Sequence, residues 1–336
     1  MSGEFDLIRN FFTRPAASVD IAVGDDCAIL TPTAGTSLAV SKDLLLEERH
    51  FFSDVDPESL GHKSLAVNLS DLAAMGATPR GCLLGIALPR YDTDWLTAFS
   101  RGFNRLADKY QCPLIGGDTT RSEHDIVISV TVLGEVTQPF LLRSRALPGD
   151  DIWVSGTLGA ADWALNLLLR QKAGEILNER ETQTLQATRH ALEWPEPRVS
   201  LGLALRPLAH AVIDLSDGLV QDLKHILHAS GVAAVLYESL MPVNLSLPDD
   251  DPQQLRQSVL GGGDVYELCF TAPQTARAAL QAIAASLPVM LTRIGEVHVG
   301  QGLRVLDAAQ QDISALPAGF DHFRPARRRK PYTQKS

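Results

Sequence analysis

Short apolar runs with turn punctuation alternate with longer stretches of helical periodicity along most of the chain. The opening FDLIRNFF sets Phe5, Ile8 and Phe12 on one helical face, with Leu7 and Phe11 beside it. Four runs have strand length and character: 27–30, 37–40, 82–88 and 126–133. Two helical patterns lie between them, at 57–76 and 95–110. LPGDD at 147–151 is a Pro-Gly turn, and the strand 152–154 follows it. The rhythm then repeats with helices at 160–169, 181–192, 219–229 and 274–285. Strands are expected at 212–214, 233–237, 265–270 and 289–297. Alternation of this kind predicts two α/β domains that meet near 140–150.

Composition narrows the class. Hydrophobic residues make up 45% of the 336 and charged residues 21%, which is globular and not disordered. The net charge of -10 excludes a general nucleic-acid binder. An acidic protein still binds phosphate esters when metal cations bridge the two. The cysteines Cys27, Cys82, Cys112 and Cys269 form no CxxC pair and are expected as buried, reduced thiols. MSGEFDLIRNFF has no basic-then-apolar layout, and no apolar run approaches the ~20 residues of a membrane span. A soluble, cytoplasmic protein without membrane partners is the expectation. The basic end, 324–336, is expected to be a disordered, solvated tail.

The chemistry-bearing pattern is a set of acids set into apolar segments. VGDDCAIL holds Asp25 and Asp26 with no Lys or Arg nearby, and VSKDLLL holds Asp43. NLSDLAAMGA puts Asn68 and Asp71 in an otherwise apolar helix. LIGGDTTR puts Asp118 after an apolar run and two glycines, and VIDLSDGL puts Asp214 and Asp217 around Ser216. A single Asp after a strand is usually a cap or a turn residue. Several buried acids with few nearby bases need a common partner, and hard divalent cations with a phosphate substrate supply one. The chain has no Walker A sequence and no kinase HRD or DFG set.

GDDCAIL, SKDLLLEERHF, NLSDLAAMGA, LIGGDTTR, RSRALPGD, IDLSDGL, GGGDVYELCF and GFDHF together resemble, in content and order, the thiamine-monophosphate kinase family. That family sits in the aminoimidazole ribonucleotide synthetase-like superfamily. The resemblance spans residues 3 to about 323. It implies two α/β domains, 1–145 binding ATP and Mg²⁺ and 146–323 completing the cleft, with N-terminal strands closing a barrel across a homodimer. It implies ATP-dependent phosphorylation of thiamine monophosphate to thiamine diphosphate by in-line transfer, with no general base. Asp26, Ser41, Asp43, Asp71, Asp118, Asp214 and Asp217 then stand as Mg²⁺ ligands, with Asp71, Asp118 and Asp214 central to charge stabilisation. Gly117, Asp118, Arg143 and Ser216 stand as ATP contacts. His50, Asp264 and Phe320 stand at the thiamine monophosphate site. The number of Mg²⁺ ions and any monovalent cation stay open.

Several positions depart from the family's pattern. Lys42 occupies a usual threonine position, and a backbone contact to metal is the favoured reading there. Asp264-Val265 replaces a usual Glu-Asp, so the acid is one methylene shorter and a second acid is lost. Glu48 stands where glycine is frequent, and Phe320 replaces a Tyr or Trp. These changes leave two alternatives: a non-catalytic nucleotide- or thiamine-phosphate-binding paralogue, or another ATP-dependent synthetase of the superfamily.

Overall fold

The computed structural model describes residues 4–16 and 19–314, with Glu4 and Phe5 as backbone alone. The basic tail and Phe320 lie outside the described residues. The chain opens with α1 (Glu4–Leu7), which continues as a π-helical turn, Ile8–Phe12. Then follow β1 (Ser37–Leu46), α2 (Pro57–Ala74), β2 (Thr78–Leu88), α3 (Thr93–Lys109), β3 (Leu114–Arg121) and β4 (Val127–Val136). The second half runs β5 (Asp150–Ser155), α4 (Ala160–Lys172), α5 (Glu179–Glu193), α6 (Val199–Leu205), β6 (Ala211–Asp214) and α7 (Leu219–Ser230). It ends with β7 (Ala233–Tyr237), α8 (Pro252–Gly261), β8 (Leu268–Pro273), α9 (Arg277–Ser286), β9 (Leu291–His298) and β10 (Gly302–Leu306).

Each half builds a mixed sheet. The first has order β1-β4-β2-β3, antiparallel except for the β2–β3 pair. The second has order β10-β7-β9-β5-β8-β6, antiparallel except for β10–β7. Both sheets are open in the single chain, so the barrel that the resemblance implies is not formed within it. Both edges of the first sheet, β1 and β3, are unpaired among the described strands.

α2 sits at the centre of the molecule. Asp56 caps it by accepting from Ser59 N–H at 3.0 Å, and Pro57 opens its first turn. Fifteen of its residues are buried, Ser59, His62, Lys63, Ser64, Asn68 and Ser70 among them, so the helix is enclosed on nearly all sides. One side packs on the first sheet and α3, and the other on α6 and β6. Its core cluster joins Leu69 and Leu72 to Leu201, Leu205, Val212 and Phe270 of the second half. α3, by contrast, is amphipathic and buries Leu96, Phe99, Phe103 and Leu106.

Several expectations change. The 27–30 run forms no strand; Ile29 makes one isolated bridge, to Ile21. Cys27 is exposed there, whereas the other three cysteines are buried and free. The strand expected from 265 begins at Leu268, because Asp264 (φ 58°) and Tyr266 (φ 53°) are left-handed. Asp118 lies inside β3, not after it. No helix of the described residues is long and apolar enough to cross a membrane.

Candidate active site

The site grows from the two faces of β1. Its alternation turns Ser41 and Asp43 toward α2, while Leu38, Val40, Lys42, Leu44 and Leu46 face the open side. Ser41 Oγ donates to Asp71 Oδ2 at 2.5 Å. Asn68 Oδ1 accepts from Asp43 N–H at 3.0 Å, and its Nδ2 donates to Ser64 O at 3.1 Å. From the same helix Ser70 Oγ reaches across to Asp214 Oδ2, at the end of β6, at 2.9 Å. Thus α2 brings an acid of the strand, one of its own and one of the second domain together.

Their charges are under-compensated. Burial, and then Asp71, push Asp43 up to about 6. Burial raises Asp71 against the Ser41 hydrogen bond and the Arg143 charge. Burial, and then Asp71, push Asp214 up to about 7, while the Ser70 bond and Arg143 pull it down. Arg143, whose carbonyl accepts from Ser230 Oγ at 3.0 Å, is a cation whose field reaches Asp71 and Asp214.

The loop after β6 is folded by an acid that sequence reasoning missed. Asp222, in the first turn of α7, accepts from the N–H groups of Asp217 and Gly218, both at 3.0 Å. It is buried, and that burial pushes it up to about 7. An acid a few residues after S-D-G, placed to reach back to the turn, was the available signal. Ser216 is exposed on this loop, and Asp217 Oδ2 accepts from Gln221 Nε2 at 3.1 Å. Lys63 was missed too: its ammonium meets Asp264 Oδ1 at 2.9 Å.

Other expected residues stand apart. Asp26 is exposed, and its N–H donates to Asp25 Oδ1 at 3.0 Å, so Asp25 closes the turn after Gly24. Asp118 is exposed and pairs in register with Gly85 on the open face of the sheet. β4 and β2 separate it from β1, three strand spacings or about 14 Å. At Gly117 a Cβ would overlap Leu84 O, so the packing of β3 on β2 already requires glycine. His50 Nδ1 accepts from Leu46 N–H at 2.9 Å and closes the turn beyond β1. Glu48 takes φ 59° in that turn, a left-handed position that glycine fills without strain.

No trio of His, Cys, Asp or Glu able to hold a metal is preassembled among the described residues. The donor set nevertheless fits Mg²⁺. Hard carboxylate oxygens with raised proton affinity lack a matching cation, and Mg²⁺ typically takes one or two carboxylates plus substrate phosphates. Asp43, Asp71 and Asp214 are the side chains that would have to draw closer around it.

The two mixed α/β domains are of the type found in the AIR synthase related proteins. Their N-terminal domain profile matches residues 24–136 and their C-terminal domain profile residues 148–308. The chain is 40% identical over 326 residues to thiamine-monophosphate kinase of Escherichia coli K12, covering 96% of this chain and 98% of that protein. It therefore belongs to the thiamine-monophosphate kinase family. A crystal structure of thiamine-monophosphate kinase from Stenotrophomonas maltophilia K279a is similar at TM-score 0.79 and 46% identity, covering 86% of this chain and 91% of that one. A structure of AaThiL complexed with AMPPCP and TMP is similar at TM-score 0.74 and 29% identity, covering 96% and 97%.

Proposed function

We propose that this chain transfers the γ-phosphoryl group of ATP to the phosphate of thiamine monophosphate, giving thiamine diphosphate and ADP. The observation that carries this reading is the convergence of Asp43, Asp71 and Asp214 at the domain junction beside Arg143. Kinship with thiamine-monophosphate kinases, and a similar structure holding an ATP analogue and TMP, support the choice of reactants.

Both reactants are polyanions, so their repulsion is the main obstacle. Mg²⁺, when bound, neutralises the phosphates and stabilises the charge spread over the transferring group. The chain's share is positioning. Ser41 and Asn68 fix Asp71 and the Asp43 backbone, Ser70 fixes Asp214, and Arg143 offers a guanidinium to the nucleotide phosphates. The acceptor is a phosphate oxygen already ionised at pH 7. It forms the new P–O bond while the bond to the β–γ bridging oxygen breaks and ADP leaves with the electron pair. No side chain has to remove a proton, and no phosphoenzyme forms.

The remaining roles follow the same reading. Asp26, Ser41, Asp43, Asp71, Asp118, Asp214 and Asp217 hold Mg²⁺. Gly117, Asp118, Arg143 and Ser216 hold ATP, and His50, Asp264 and Phe320 hold thiamine monophosphate. Lys42 turns its side chain to the open face, so its backbone is what the site sees.

A homodimer would bring Asp118 beside β1 of the other copy, on the face that carries Lys42 and Leu44. Leu38, Val40, Leu44 and Leu46 are 41% to 58% exposed and form one apolar face flanked by the free edges β1 and β3. With β1 of one copy beside β3 of the other, the strands close on themselves. Asp118 of the partner subunit then lies one strand spacing, about 5 Å, from β1.

The test is direct. Purified protein with Mg-ATP and thiamine monophosphate should form thiamine diphosphate and ADP in equal amounts. Ligand binding without product would instead support the binding paralogue.

A further inference from the structure

α2 sends two side chains across the domain junction. Ser70 meets Asp214, and Lys63 meets Asp264. They are seven residues apart, roughly 10 Å along the helix and on one face of it. The first contact belongs to the acid cluster. The second lies about 10 Å along α2 from it, a spacing comparable to the length of an extended thiamine phosphate.

Lys63 is 6% exposed, a burial that lysine rarely reaches without a charged partner. Its partner is unusually constrained. Asp264 N–H donates to Ser216 O at 2.8 Å, and Tyr266 O–H donates to Asp264 Oδ1 at 3.2 Å. Both Asp264 and Tyr266 are left-handed, at φ 58° and 53°, a strained state for a bulky residue unless its surroundings dictate it. Among the described residues, both side-chain contacts to the carboxylate fall on Oδ1, which leaves Oδ2 for a ligand. The carboxylate is also one methylene shorter than glutamate, so where it points depends on what anchors it.

We propose that Lys63 is a positioning residue for the phosphoryl acceptor: it holds the Asp264 carboxylate across the domain junction so that Oδ2 meets the cationic ring end of thiamine monophosphate. This rests on the function proposed above. The ammonium touches neither the reacting phosphates nor the nucleotide. It acts through Asp264, and its loss is felt in acceptor binding.

Steady-state kinetics on the full-length enzyme test this, with thiamine monophosphate and ATP varied separately. Lys63→Met should raise KM for thiamine monophosphate about tenfold or more, with kcat and the KM for ATP within about twofold. Lys63→Arg should restore part of the loss. Asp264→Asn should match Lys63→Met, and the double variant should lose no more than either single one. The double variant also leaves no unpaired buried charge, so it reports even if Lys63→Met folds poorly. An unchanged acceptor KM in Lys63→Met, an ATP KM that rises in step, or losses that multiply in the double variant would overturn the proposal. A wild-type protein that forms no thiamine diphosphate overturns the underlying function, and does so before any variant is made.

Discussion

Ser70 Oγ and Asp214 Oδ2 lie 2.9 Å apart across the domain junction, both buried. This bond favours the ionised carboxylate, so its loss lets burial and Asp71 raise the proton affinity further. Ser70→Ala should therefore lower activity roughly tenfold at pH 7 and raise the Mg²⁺ requirement, a size suited to one hydrogen bond to a charged group. Part of the rate should return at pH 8.5, where Asp214 is ionised again. Initial rates against Mg²⁺ at both pH values check this. An equal loss at both would contradict it.

Metal-free protein should be more stable at pH 6 than at pH 8. Asp43 and Asp214 titrate near 6 and 7 when folded, above the ordinary value of 3.8. The folded state thus binds more protons in that interval, and stability falls as pH rises through it. Carboxylates held low by partners, such as Glu58 and Asp312, lose their contribution only in more acidic solution. Melting midpoints in chelator should drop by a few degrees from pH 6 to 8. Asp214→Asn should lessen that slope, leaving the share of Asp43 and Asp222, while abolishing turnover.

The open face of β1 yields a paired expectation. Val40→Asp places a charge on a 58% exposed apolar position, so the single chain should fold while the dimer proposed above should not form in sedimentation. Lys42→Thr, on that same face, should leave the Mg²⁺ dependence within about twofold, because its side chain points away from Asp43. A several-fold shift would place the ammonium at the metal site instead.

Gly117→Ala separates two reasons for a glycine. Overlap of the new Cβ with Leu84 O should destabilise the fold by about 2–4 kcal/mol in urea titration. A residue needed only for close approach of ATP would lose nucleotide affinity with unchanged stability.

Much of this site was legible because its acids sit in apolar company. Asp43, Asp71 and Asp214 interrupt runs that otherwise read as core, and a buried carboxylate without a base announces a missing cation. Lys63 and Asp222 gave no such signal. Each lies on a helix where a charge ordinarily faces water, and the partner that buries it comes from a segment far along the chain or from the turn before it. The long helices were readable from periodicity. β3 was harder, since Gly116, Gly117 and four polar residues hide a strand that exists by pairing with β2. The 27–30 run had strand character but, among the described residues, only the single bridge from Ile29 to Ile21, so it stayed irregular. α6 carries no polar alternation, and burial against α2 is what makes it a helix.

Gly202 of α6 lies so close to Ala73 O of α2 that a Cβ would overlap it. The two domains therefore touch backbone to backbone, with Leu201, Leu205 and Leu72 sealing the contact in one core. The protein is a mould and not a jaw. So close a contact leaves little room for the domains to swing, and the reactants themselves, once seated, would have to keep water from the phosphoryl group. X-ray scattering profiles of the empty and ligand-saturated protein should superimpose. ATP hydrolysis without acceptor should then set the enzyme's background rate, and a non-reactive thiamine filling the acceptor end should change it more than any domain movement does.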